Sequence, residues 1–204
     1  MATTRAFTRE EIRAILKDSE VSLRDRCYIS LSANTGFRVS EILSLRIGDV
    51  VNIVGKGEPP IIKSLREVTV VKDAMKGKQR ARTMALNRDV QKAIHDYVKV
   101  CMTHEGATPD TMLFLTPVAH GRQKNKPLTR QYMLKITKAI ADRVLGYNNR
   151  IGTHSFRKAF ATECYRKCRD VVKVSMMMGH RQIQTTMNYI QSLGGDHELV
   201  NGLF

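Results

Sequence analysis

The residues of this chain that could do chemistry fall in four short segments. Near the C-terminal end, "MMGHRQIQTTMNYI" sets His180 directly after Gly179 and Tyr189 nine residues later. In "GTHSFRKAFAT", His154 and Arg157 stand at i and i+3, which on a helix sends both side chains to one side. A guanidinium grips two phosphate oxygens at once, and an imidazole beside it can bond a third or handle a proton. "TGFRVSEILSL" places Arg38 just after a glycine, at a helix start where backbone N–H groups and the dipole favour an anion. Glu41, three residues on, shares that face and is placed to orient the guanidinium. "MKGKQRARTMAL" puts Lys76 and Lys78 in a turn between strand-like runs, where a lysine serves as a mobile cation or a proton donor.

Each segment alone also has an ordinary reading: a packed tyrosine, a solvated His–Arg face, an arginine at a helix start, a solubilising turn. The other tyrosines, Tyr28, Tyr97, Tyr132, Tyr147 and Tyr165, lack such neighbours, and Tyr97 and Tyr165 fit amphipathic patterns as half-buried packing residues. Cys27, Cys101, Cys164 and Cys168 include no CxxC and no histidine pair at ligand spacing, so they read as buried or idle thiols.

Positioning these residues is within reach of 204 residues, enough to bury a real core in one domain. Apolar content is 42% and charged content 26%, as in ordinary globular proteins. The 34 Lys and Arg against 19 Asp and Glu leave a formal charge of +15, which points to a polyanionic partner, nucleic acid first and an anionic membrane surface second. No apolar run approaches a membrane span and "MATTRAFTREE" has no signal-peptide core, which disfavours the membrane.

Along the chain, Thr8 and Glu11 form a capping box that opens a helix lined by Ile12, Ile15 and Leu16. "SLRDRCYISLSANTG" predicts a second helix stopped by Gly36, and "RVSEILSLRIGDV" a third that buries Val39, Ile42, Leu43 and Leu45 or Ile47. Between about residues 49 and 86, "DVVNIVG", "REVTVVKD" and "RARTMALN" predict three strands of a small antiparallel sheet. Asn87 then caps a long helix, "PVAHGRQKNKPLT" is a basic loop, and helices follow over 129–145, 153–167, 170–178 and 181–191. The expected fold is mainly α with one small three-stranded antiparallel sheet (α+β), in a single domain.

Taken together and in this order, "TGFRVSEILSL", "HSFR" and "GHRQIQTTMNY" resemble the tyrosine recombinase (phage integrase) family. That family carries an Arg in a T-G-x-R-x-S-E-x-x-x-L segment, an H-x-x-R pair, and G-H followed nine residues later by a nucleophilic Tyr. The resemblance runs from Phe7 to Ile190 and implies the family's catalytic-domain fold, with an active lysine in the β2–β3 turn. Lys76 is preferred for that role because the family's lysine usually precedes the glycine of the turn, with Lys78 as the alternative. Two departures stand out. Ala85 replaces the proline of the family's V-P-L segment, and the N-terminal core-binding domain of many relatives has no counterpart before Phe7. The expected organisation is one catalytic domain over 1–204, with a flexible 1–6 and a tail over 192–204 that docks on a neighbouring protomer. Either a minimal recombinase or a catalytic fragment fits it.

The resemblance implies that Tyr189 attacks a DNA phosphodiester and becomes joined to the 3′ phosphate, with Arg38 and Arg157 on the non-bridging oxygens. Lys76 would protonate the leaving 5′ oxygen, His154 would act as base or relay, and His180 would bond the scissile phosphate. No metal, ATP or other cofactor is expected. Arg122, Lys124 and Lys126 of the basic loop are candidate DNA backbone contacts. The implied partner is double-stranded DNA with a specific target site, bound by four protomers on two sites, with a monomer or weak oligomer in its absence. The implied location is the cytoplasm and nucleoid of a bacterium, phage or mobile element. Two other readings compete: a type IB topoisomerase-like or telomere-resolving enzyme of the same chemistry, and a catalytically idle DNA-binding regulator.

Overall fold

The computed structural model describes residues 4–54, 61–71, 81–104, 106–116, 126–146 and 150–190. Helix α1 (Arg9–Lys17) opens on the expected capping box, with the Glu11 amide donating to Thr8 Oγ1 at 3.1 Å and the Thr8 amide donating to Glu11 Oε2 at 2.9 Å. Its Ile15 is buried, and Ile12 and Leu16 pack against the core beside it. Helix α2 (Leu23–Thr35) is capped by Ser22 and packs on other elements all round, burying Cys27, Tyr28, Ile29 and Leu31. Its apolar residues are spread around the helix rather than gathered on one face, which suits a central position, and α2 packs against α1 and three helices that follow it: α3 (Val39–Leu43), α4 (Arg88–His104) and α6 (Thr153–Cys168).

Gly36 ends α2 in the left-handed region at φ +61°. A Cβ there would also stand 2.4 Å from Phe160 Cδ1, so both conformation and space call for glycine. The third helix is shorter than its pattern suggested. α3 closes where the Ser44 hydroxyl turns back to the Glu41 carbonyl at 2.8 Å, and a 3₁₀ turn follows over Ile47–Asp49. Leu45 and Ile47 are both buried all the same.

The sheet departs from expectation. Four strands are present among the described residues, β1 (Val51–Val54), β2 (Ile61–Ser64), β3 (Glu67–Val70) and β4 (Arg82–Ala85), arranged as two antiparallel pairs, β1–β2 and β3–β4. The extra strand is "IIKS", four residues behind two prolines and too short to show alternation. The chain bends at Leu65 and Arg66, so the run from Ile61 to Val70 pairs with β1 before the bend and with β4 after it.

Asn87 caps α4 through the Val90 amide at 3.0 Å, and Thr129 caps α5 (Arg130–Leu145) through Tyr132 at 3.1 Å. α7 (Val171–Met178) and α8 (Ile183–Ile190) complete the helices close to the expected bounds. The main core centres on Phe7, Tyr28, Tyr97, Phe114 and Phe156, with Phe7 and Phe156 stacked at 4.5 Å. A smaller cluster of Phe160, Ala161, Val174 and Met178 joins α6 to α7, with Tyr165 and Tyr189 packed against it. α6 is therefore a wall with the core on one side and the α7–α8 platform on the other, and each buried large apolar side chain contributes about 1.5–3 kcal/mol.

Candidate active site

The site forms where three helix ends and one strand meet. Arg38 occupies the cap position before α3, its backbone N–H donating to Glu41 Oε2 at 2.7 Å and its guanidinium to Oε1 at 2.8 Å. The Glu41 side chain is 1% exposed, and its Oε2 also accepts from Arg82 at 2.6 Å. Arg157, in the first half of α6, is 2% exposed. Its Nη1 donates to the Gly36 carbonyl and its Nη2 to the Met178 carbonyl at 2.5 Å. A guanidinium has donors to spare beyond these two carbonyls, so Arg157 can be fixed by the fold and still meet a phosphate.

Beyond Met178 the chain turns at Gly179, left-handed at φ +61°, and delivers His180. His180 Nδ1 shares a hydrogen bond of 2.8 Å with the fully buried Thr186 hydroxyl on α8. The Tyr189 ring meets the His180 ring edge to face at 5.3 Å between centroids, and Lys158 Nζ lies 5.5 Å from the Tyr189 ring centre. Lys158 also donates to the Thr4 carbonyl, tying the first described residues to this corner. Tyr189 thus packs on the second cluster and also adjoins a histidine and two cationic side chains of α6.

Electrostatics show the same proximity. Burial, then the Arg38 and Arg82 charges, push the Arg157 guanidinium down to about 10, while Glu41 and the Tyr189 phenol act in the opposite sense. Arg157 remains a cation at neutral pH. Burial and then Arg157, Arg38 and Arg82 push His180 down to about 3. Burial first, followed by Arg157, Arg130, Arg38 and Lys158, lowers His154 below the ordinary imidazole value. Both imidazoles are consequently neutral at pH 7, with a ring nitrogen able to accept a proton or, on the other tautomer, donate a hydrogen bond.

Five predicted residues, Arg38, His154, Arg157, His180 and Tyr189, with the supporting Glu41, are brought into one neighbourhood from α3, α6, α7–α8 and their junctions. Lys76 and Lys78 lie outside the described residues, as do Arg122, Lys124 and the tail over 192–204. Lys126 is exposed, its carbonyl accepting from the Thr116 amide at 2.9 Å beside the Leu115–Pro127 bridge. Sequence reasoning missed Arg82. The signal was present in the alternation of β4, where Arg82, Met84 and Leu86 occupy one face and an arginine stands in an apolar row. Among the described residues, no group of three or more His, Cys, Asp or Glu is placed to hold a metal ion. No helix among them is long and apolar enough to cross a membrane.

A model of the phage integrase family matches residues 5–194. Tyrosine recombinase XerD of Halalkalibacterium halodurans is 30% identical over 196 residues, covering 91% of this chain and 56% of that protein. Tyrosine recombinase XerH of Campylobacter jejuni is 24% identical over 189 residues, covering 90% and 47% respectively. The chain thus spans about half the length of these relatives. The crystal structure of XerA recombinase superposes with a TM-score of 0.71 at 19% identity, over 98% of this chain and 65% of that one. XerH bound to its palindromic difH substrate in a post-cleavage complex gives 0.66 at 22% identity, over 97% and 52%.

Proposed function

The chain belongs to the phage integrase family, and from that premise we propose that it cuts and rejoins DNA strands at a specific site through a covalent bond to Tyr189. The reading is carried by one observation above the rest: the Tyr189 ring packs against His180 at a point where the Arg38, Arg82 and Arg157 charges all act on that histidine. A phosphate entering such a corner meets fixed positive charge on one side and a phenol on the other.

In the proposed step the Tyr189 oxygen attacks phosphorus, the P–O5′ bond breaks, and the 3′ phosphate remains on the protein as a phosphotyrosyl ester. The phenolic proton passes to neutral His154. The departing 5′ oxygen, too basic to leave unaided, takes a proton from Lys76, with Lys78 as the alternative donor. A free 5′ hydroxyl of another strand reverses the sequence, so the number of phosphoester bonds is unchanged and ATP is not consumed. Arg38 and Arg157 hold the non-bridging oxygens, where charge builds in the transition state, and a donor that gains strength there raises the rate. With the Thr186 hydroxyl donating to Nδ1, His180 presents Nε2–H to the same phosphate. Double-stranded DNA is the partner, Lys126, Arg122 and Lys124 serve as backbone contacts, and strand exchange between two duplexes calls for four copies on two sites. The soluble DNA-containing compartment of a bacterium or mobile element is the setting this chemistry needs.

The test is to incubate the protein with a pool of nicked duplexes of random sequence, isolate denaturation-resistant protein–DNA adducts, and sequence the attached strands. One recurring sequence joined through its 3′ phosphate is expected, and Tyr189→Phe should form no adduct while still shifting the same duplex in a gel. An adduct that survives Tyr189→Phe, or none from the wild type, sinks the proposal. Adducts without sequence preference, with relaxation of any supercoiled plasmid, would indicate a topoisomerase instead.

A further inference from the structure

Arg82 is a largely buried cation whose charge reaches His180 but to which the proposed step gives no atom to hold. From β4 it reaches across to donate to Glu41 Oε2 at 2.6 Å and to the Met177 and Met178 carbonyls at 3.2 and 2.5 Å. Its guanidinium lies 5.0 Å from the centre of the Phe37 ring, and its side chain is 9% exposed.

We propose that Arg82 is a positioning residue for DNA cleavage: anchored on the carbonyl end of α7, it fixes Arg38 through the shared carboxylate of Glu41, without touching the DNA. The inference rests on the recombinase reading above. Glu41 offers its two oxygens to different partners, Oε1 to the Arg38 guanidinium and Oε2 to Arg82 and the Arg38 amide. A carboxylate held at one oxygen can still swing about its last torsion. Here Arg38 itself supplies one donor to each oxygen, and Arg82 adds a charged donor to Glu41 from outside α3, so the carboxylate and the guanidinium bonded to it are referenced to β4 and the end of α7 rather than only to each other.

The anchor is equally specific. The last carbonyls of a helix lack partners and favour a cation, and Met178 O receives both Arg82 and Arg157. Gly179 leaves the room: a Cβ there would stand 2.8 Å from Arg82 Cδ. Stability alone does not account for an arginine here. Its Nε is buried with no hydrogen-bond partner among the described residues, and burial pushes its pKa down despite Glu41, whereas the neighbouring positions on the same strand face are Met84 and Leu86. A third apolar residue would fill the row. The arginine does what an apolar residue cannot, which is to hold a carboxylate in place.

The experiment is a double-mutant cycle on single-turnover cleavage of the nicked duplex recovered by adduct sequencing, with Arg38→Ala and Arg82→Met alone and together. Arg82→Met is expected to slow adduct formation about 10–100-fold, as loss of a supporting residue does, with gel-shift affinity little changed. In the Arg38→Ala background it should add almost nothing, because the side chain it positions is gone. Arg82→Lys, which keeps the charge and loses the fork, goes through the same cycle beside thermal melts of every variant, so that a folding defect in Arg82→Met does not decide the matter. Penalties that multiply in the double variants, or an Arg82 variant that cleaves at the wild-type rate, overturn the inference while leaving the recombinase reading intact. Absence of any wild-type adduct overturns that reading and this inference with it.

Discussion

His154 and His180 owe their protonation states to their neighbours. His180 is half-buried and His154 more exposed, and loss of solvent followed by the charges of nearby arginines holds both below the ordinary imidazole range, His180 at about 3. For a base whose pKa is lowered, the active neutral form persists to more acidic pH than usual. Adduct formation at sub-saturating DNA, which reports the free protein, should therefore stay level as pH falls through about 6.5 and decline only below it. Half-loss near the ordinary value would show that the neighbouring arginines do not depress the imidazole that accepts the proton. Most of these residues were legible in the sequence because each stands in a spacing that a helix converts into a shared face. Arg82 showed only as a cation in the apolar row of β4, with no neighbour at helical spacing, and its partners Glu41 and Met178 lie 41 and 96 positions away along the chain.

The secondary-structure elements were legible where local chemistry is strong. Thr8, Ser22, Asn87 and Thr129 all cap the helices they precede, since a side-chain oxygen satisfies an orphan amide whatever the tertiary context. Strand pairing was less so: the bend at Leu65 and Arg66 changes partners in mid-run, and a four-residue strand carries too little pattern to show it. Gly36 joins these local signals to packing. Gly36→Ala forces an alanine into the left-handed region and drives its Cβ onto Phe160, so it should destabilise the protein by about 1–3 kcal/mol in urea unfolding. A change of less than about 0.5 kcal/mol, the size of an ordinary surface substitution, would mean that α2 and α6 separate readily. The Gly36 carbonyl is also an Arg157 acceptor, so the same variant should slow adduct formation.

Over the whole molecule, the charge of +15 is the property that would act first on the proposed DNA partner. If binding neutralises about 6–10 phosphates, log affinity should fall against log salt with a slope of about −5 to −9. A slope near zero in filter binding between 50 and 200 mM salt, a range over which about 10³–10⁵ in affinity is at stake, would remove DNA as the partner of that charge. The sequence by itself determined the composition, the caps, the helix periods and the motif spacings, because these depend on residues within a turn or two of one another. Only the tertiary structure decided that Glu41 is shared by two arginines, that the end of α7 is held by Arg82 and Arg157, and that Tyr189 faces His180. Those contacts join α3, β4, α6, α7 and α8, and the dominant force that brings such distant segments together is the burial of the core on which they sit.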